Sequence, residues 1–190
     1  FHEGYLNKGK ELVEYNGAWW YVSDERKVDF SYTGIAYNEA GGWYVRNGQV
    51  DFSYNGILEY EVIDGPFLIP YQYHFVNGKL NEGLTGLYYT TVNGKTNWYG
   101  FQNGAIATFE EYEDSYGTLF LNESGWWYVD PIHGTVDFSY TGMGTRHDWT
   151  GDTSDTWYIR NGQVDFSYSG CVAADGNTRY LRRYYLVENG

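Results

Sequence analysis

The pentapeptide Val-Asp-Phe-Ser-Tyr occurs four times, beginning at Val28, Val50, Val136 and Val164, and each copy follows a Trp-Tyr-Val or Trp-Tyr-Ile by way of a short turn. A chain of this kind folds as an array, because a unit so small completes its core only by stacking on its neighbours. The unit is clearest from Trp43 to Tyr54, where Asn47-Gly48 supplies two adjacent positions that accept positive φ between alternating apolar and polar residues. That is a strong hairpin signal. A two-residue turn sets Arg46 opposite Gln49, Val45 opposite Val50, Tyr44 opposite Asp51 and Trp43 opposite Phe52. Trp43, Val45, Val50, Phe52 and Tyr54 then share an inward face, while Tyr44, Arg46, Gln49, Asp51 and Ser53 share a polar one.

A second near-identical copy runs from Trp157 to Tyr168 and repeats both faces, so Trp157 and Phe166 read as core like Trp43 and Phe52. The copies at Trp19-Trp20-Tyr21-Val22 and Trp126-Trp127-Tyr128-Val129 lengthen the turn by one and two residues. Two degenerate units, Tyr73 to Leu80 and Trp98 to Ile106, match mainly at their turns, and Tyr184 to Gly190 is a first strand that stops at its turn, as in a piece of a longer array. Second strands start at Val28, Val50, Leu80, Ile106, Val136 and Val164, in steps of 22, 30, 26, 30 and 28 residues. The expected fold is all-β: one elongated, solenoid-like array of stacked β-hairpin repeats over residues 1–190, irregularly spaced. Helical periodicity is absent, and no apolar run approaches the roughly 18 residues of a membrane span.

The Gly125-Trp126-Trp127-Tyr128-Val129 to Val136-Asp137-Phe138-Ser139-Tyr140-Thr141-Gly142 stretch, and Gly42 to Gly56, resemble the aromatic cell-wall-binding repeats of Gram-positive surface proteins. These are the choline-binding and glucan-binding hairpin repeats, here in a variant of gut Firmicutes. The resemblance implies a secreted or surface-displayed segment that binds rather than catalyses, on wall polymers or a host ligand. Family choline sites cage a quaternary ammonium with aromatics from successive hairpins. A cage repeated between equivalent neighbours needs a constant step, which this array lacks.

A net charge of −13 argues against nucleic acid and anionic polymers bound through a basic groove. The single cysteine, Cys171, reads as a small core residue. His2, His74, His133 and His147 form no motif with a nucleophile and an orienting acid, so no enzyme activity and no cofactor are expected. Asp148, Asp152 and Asp155 follow no calcium-loop spacing and read as a solvated loop.

Asp51 and Asp165 are expected to tie the stack by accepting hydrogen bonds from the adjoining unit. Tyr21, Tyr44, Tyr128, Tyr158, Trp19 and Trp126 fall on the polar face, where they meet a partner or pack between hairpins if both faces are covered. Three insertions, Leu58 to Pro70, Glu110 to Ser124 and Gly144 to Thr156, carry individuality, including the acidic Glu110 to Asp114 cluster and Trp149. Two partners fit. A host protein, immunoglobulin being the candidate, suits a unique irregular surface rich in Tyr, Ser, Gly and Asn, with Trp126 or Trp149 as anchors. A cell-wall polymer, choline or host glycan suits stacking aromatics. A spacer role is the third reading.

Overall fold

The computed structural model describes residues 10–64, 67–108, 118–145, 155–174 and 183–189. The chain divides into two compact units, Phe1–Leu84 with Asn103–Ala105, and Thr85–Gln102 with Ile106–Gly190. Both are built from antiparallel hairpins, and the described residues contain no helix.

The first unit holds β1 (Glu11–Tyr15), β2 (Ala18–Val22), β3 (Gly34–Asn38), β4 (Gly41–Arg46), β5 (Gln49–Val50), β6 (Gly56–Asp64), β7 (Phe67–Val76) and β8 (Lys79–Leu80). The long hairpins are β1 with β2, β3 with β4 and β6 with β7. Each short strand folds back through Asn-Gly, giving Val45 opposite Val50, Arg46 opposite Gln49, and Phe75 opposite Leu80. Asn47 and Gly48 take φ of 51° and 78°, as the mirror-image type I turn requires.

The ladder then stops at Val50, which corrects the expected second strand reaching Tyr54. Asp51 ends it. Its Oδ1 accepts the Ser53 amide at 3.0 Å and hydroxyl at 2.6 Å, and its carbonyl accepts the Tyr54 amide at 3.2 Å. This is an Asx turn closed over a β-turn. Asp29, Asp137 and Asp165 build the same turn. Of the segment Leu58 to Pro70, expected as an insertion, residues 58–64 and 67–70 are instead strand, in a ladder that pairs Gly56 with Phe75 through to Asp64 with Phe67.

One backbone device joins successive hairpins. The Gly78 amide donates to the Tyr54 carbonyl at 2.7 Å, and the Tyr44 amide donates to the Gly78 carbonyl at 2.8 Å. Gly48 makes the equivalent pair with Tyr32 and Tyr21, and Gly104 with Leu84 and His74. A unit that looks degenerate in sequence therefore keeps every backbone link, with His74 standing where Tyr44 stands and Phe75 where Val45 stands.

Both faces of a hairpin are buried. Ala36, Val45 and Val50 pack with Leu12, Trp19, Tyr21 and Tyr32 of the hairpin before, while Ile35 and Tyr44 pack with Phe75, Leu80 and Leu58 of the hairpin after. Neighbours in one strand thus face two different clusters, which is why Tyr44 on the expected polar face is buried.

The second unit holds β9 (Gly86–Val92), β10 (Lys95–Gln102), Ile106 of β11 (Ala105–Ile106), β12 (Thr118–Asn122), β13 (Gly125–Asp130), β14 (Thr135–Val136), β15 (Gly142–Thr145), β16 (Thr156–Arg160), β17 (Gln163–Val164), β18 (Gly170–Ala174) and β19 (Arg183–Val187). Its hairpins obey the same rule. Phe120 and Val129 join Leu87, Ala107 and Val136, whereas their neighbours Leu119 and Tyr128 join Ile159 and Val164. Gly162 links to Tyr140 and Tyr128 as Gly78 does to Tyr54 and Tyr44. Glycine at position 100, where Tyr44 stands in the first unit, lets the Phe120 ring sit 2.7 Å from where a Cβ would be. Cys171, expected in the core, is exposed. It lies opposite Leu186, also exposed, at the register position of Leu119, and no described hairpin covers that face.

Candidate ligand-binding surface

The sequence turns each Asp-Phe-Ser-Tyr into a tight turn, and the turn aims its two aromatics in different directions. The Tyr folds inward. Tyr32, Tyr54, Tyr140 and Tyr168 stack on Tyr21, Tyr44, Tyr128 and Tyr158, with ring centroids 3.8, 4.1, 3.8 and 3.8 Å apart. Their hydroxyls donate to the carbonyls of Ile35, Ile57, Met143 and Cys171, three residues on. Burial raises the Tyr32, Tyr54 and Tyr21 hydroxyls above the ordinary phenol range, so these rings stay neutral through the physiological range.

The Phe points out. Phe30, Phe52, Phe138 and Phe166 are 65%, 49%, 50% and 53% exposed. Each lies edge to face against a half-buried Trp: Trp20 at 5.8 Å, Trp43 at 5.5 Å, Trp127 at 5.5 Å and Trp157 at 5.8 Å. Four solvent-facing aromatic pairs at equivalent positions are the recurring surface feature of the described residues. Phe52 and Phe166, expected in the core, therefore belong to the surface. The strand alternation that put them inside ends one residue earlier, at Asp51 and Asp165.

The sequence-derived candidates are placed as follows. Tyr44 and Tyr128 are buried in the stacks, and Tyr21 and Tyr158 are half-buried there. Trp19 packs on the Leu12, Ala36, Val45 and Val50 cluster. Trp126 packs on the Ile159 cluster with its ring 5.5 Å from Trp157. Trp149 lies outside the described residues, as do Asp148, Asp152 and the Glu110 to Asp114 cluster. The Asp51 and Asp165 carboxylates bond within their own units, to Ser53 and Ser167 and to Arg46 at 2.9 Å and Arg160 at 3.2 Å. Contact with the next unit runs through the Asp51 carbonyl instead, 2.3 Å from where a Cβ on Gly78 would lie. Serine, then arginine, hold both carboxylates below the usual range.

Trp20, Phe30, Trp127 and Phe138 were not singled out from sequence, although Asp-x-Ser after the valine signals the turn that exposes the phenylalanine. Charge around the pairs is uneven. Lys79 places its ammonium 5.6 Å over the Trp43 ring, so one pair already faces a cation. His133 pairs with Asp130, and His74 is half-buried with its pKa lowered by burial. Among the described residues no three His, Cys, Asp or Glu side chains gather to hold a metal.

A profile described as choline-binding repeat matches four stretches: residues 12–24, 31–51, 115–129 and 152–165. Together they make up about a third of the chain. Each contains the tryptophan of one exposed pair: Trp20, Trp43, Trp127 and Trp157. The matched family is one of binding repeats. No curated protein matches the sequence. Among solved structures, alternansucrase in complex with isomaltononaose aligns with 82% of this chain at 16% identity and a TM-score of 0.35, and the alignment spans 10% of that protein. No helix among the described residues is long and apolar enough to cross a membrane.

Proposed function

We propose that this chain is a non-catalytic binding module, secreted or held at a bacterial surface, whose ligand is a cell-wall polymer or other glycan that packs against the exposed Trp–Phe pairs. The observation that carries this reading is the coincidence of those pairs with the choline-binding repeat matches, one tryptophan to each. Half-exposed aromatic rings are costly to leave in water and offer flat apolar faces to the C–H face of a sugar. Lys79 over Trp43 favours a neutral sugar over a quaternary ammonium at that pair, since a second cation there meets repulsion. That residues 1–190 serve as a single hairpin-repeat segment belongs to the same proposal. Neither the geometry nor the comparisons support an immunoglobulin partner.

Isothermal titration tests the reading. Soluble wall fragments or oligosaccharides give saturable heat, and Phe52→Ser together with Phe166→Ser weakens binding while the far-ultraviolet circular dichroism stays unchanged. Absence of heat with glycans, wall fragments and choline alike would refute it.

A further inference from the structure

Beside Trp20 and Phe30 lies a groove of about 550 Å³, lined by Val13, Tyr15, Trp20, Val22, Val28 and Phe30, with Arg26 the one charged residue in its wall. The volume falls in the range of small-ligand sites, roughly 300–1,000 Å³. The aromatics come from three places: Tyr15 from β1, Trp20 from β2 and Phe30 from the Asx turn that follows.

Arg26 is there because of a local departure from the repeat. The turn from Val22 to Val28 carries one residue more than the turn from Val45 to Val50. It closes through the Ser23 amide on the Lys27 carbonyl and the Arg26 amide on the Ser23 carbonyl, both at 2.9 Å, with Arg26 in the left-handed region at φ 62°. The neighbouring charges are spoken for: Lys10 pairs with Asp24 at 3.1 Å and Lys27 with Glu25 at 3.9 Å. Among the described residues, Arg26 has no carboxylate partner. A guanidinium beside an aromatic groove repels a quaternary ammonium and presents a fork that matches a carboxylate.

We propose that this groove binds a terminal sugar bearing a single carboxylate, its ring against Trp20 and Phe30 and its carboxylate on Arg26. The inference rests on the glycan-binding reading and narrows it at one hairpin. Asp24, Glu25 and Asp29 nearby and a net charge of −13 favour one negative charge over the two of a phosphomonoester.

The test compares cellobiouronic acid with cellobiose, which differ only by a carboxylate in place of a hydroxymethyl group, on the full chain. The readout is the nuclear magnetic resonance shift of the Trp20 indole N–H. The acid is expected to bind at least about tenfold tighter than the neutral sugar, an advantage that added salt reduces and Arg26→Gln abolishes. Phe30→Ser weakens both sugars. Equal affinity for the two sugars at Trp20 would overturn the inference and leave the glycan reading intact. Failure of both at Trp20, while other pairs still retain wall polymer, would also overturn it without touching that reading. Glucose 6-phosphate binding more tightly than the uronic acid would move the site to phosphosugars. Concentration-dependent self-association that shifts the Trp20 indole without sugar would assign the groove to another hairpin instead.

Discussion

Replacing Gly78 by alanine isolates the device that joins hairpins. Gly78 has φ of +73°, and a Cβ there would sit 2.3 Å from the Asp51 carbonyl oxygen and 3.0 Å from Phe52 Cα. Both obstacles are backbone, so no side chain can swing aside. Left-handed backbone alone costs alanine about 1–2 kcal/mol. Moving the Asp51 turn away also strains two links, Gly78 to Tyr54 and Tyr44 to Gly78, each worth about 1 kcal/mol net. The expected loss is therefore about 3–4 kcal/mol. Gly17→Ala is the matched control, because Gly17 has φ of +75° with nothing within 4 Å of its Cβ position, and only the backbone cost of about 1–2 kcal/mol applies. Urea unfolding followed by tryptophan fluorescence gives the overall loss. Hydrogen exchange at the Tyr44 amide reads the local opening directly, since an array need not unfold in a single step. Equal destabilisation by the two variants would refute the idea that glycine is needed for close approach between hairpins.

Two further outcomes concern the tyrosine stacks and the half-buried His74 imidazole. Tyr140→Phe keeps the ring 3.8 Å from Tyr128 but removes its bond to the Met143 carbonyl, at a cost of about 1 kcal/mol, whereas Tyr140→Ala loses the stack as well and costs about 3 kcal/mol. Chemical denaturation checks both. Burial lowers the His74 pKa from 6.5, so the unfolded chain binds the proton more readily and stability declines as pH falls below 6.5, levelling off below the folded value. His74→Phe is expected to flatten that decline; a slope unchanged between pH 6.5 and 5 would place its origin elsewhere.

How much of this was legible in the sequence differs from residue to residue. Val45 opposite Val50, the Asn47-Gly48 turn and the return pairing at Val50, Leu80, Ile106, Val136 and Val164 were readable because positive φ and alternation are local properties, although each of those residues ends a two-residue strand rather than starting a longer one and Val28 pairs with Val22 only as an isolated bridge. The covering of both faces was not, since whether Tyr44 meets water depends on Phe75 and Leu80 in the next hairpin. His74 and Gly100 leave their units recognisable mainly at the turns, for a related reason. The links at those positions are made by backbone atoms, which leave little trace in side-chain identity. The outward turn of the aromatic pairs does not follow from strand alternation, which fails at Asp51, whose carboxylate ends the strand by capturing the Ser53 amide and hydroxyl and so turns Phe52 outward.

Sedimentation with insoluble cell-wall polysaccharide addresses the functional account most directly. The unmodified chain is expected to pellet with the polymer, and a chain carrying serine for Phe30, Phe52, Phe138 and Phe166 to stay in solution with its tyrosine stacks and circular dichroism intact. Retention of that variant at full strength, or failure of the unmodified chain to pellet with any glycan, would contradict the account.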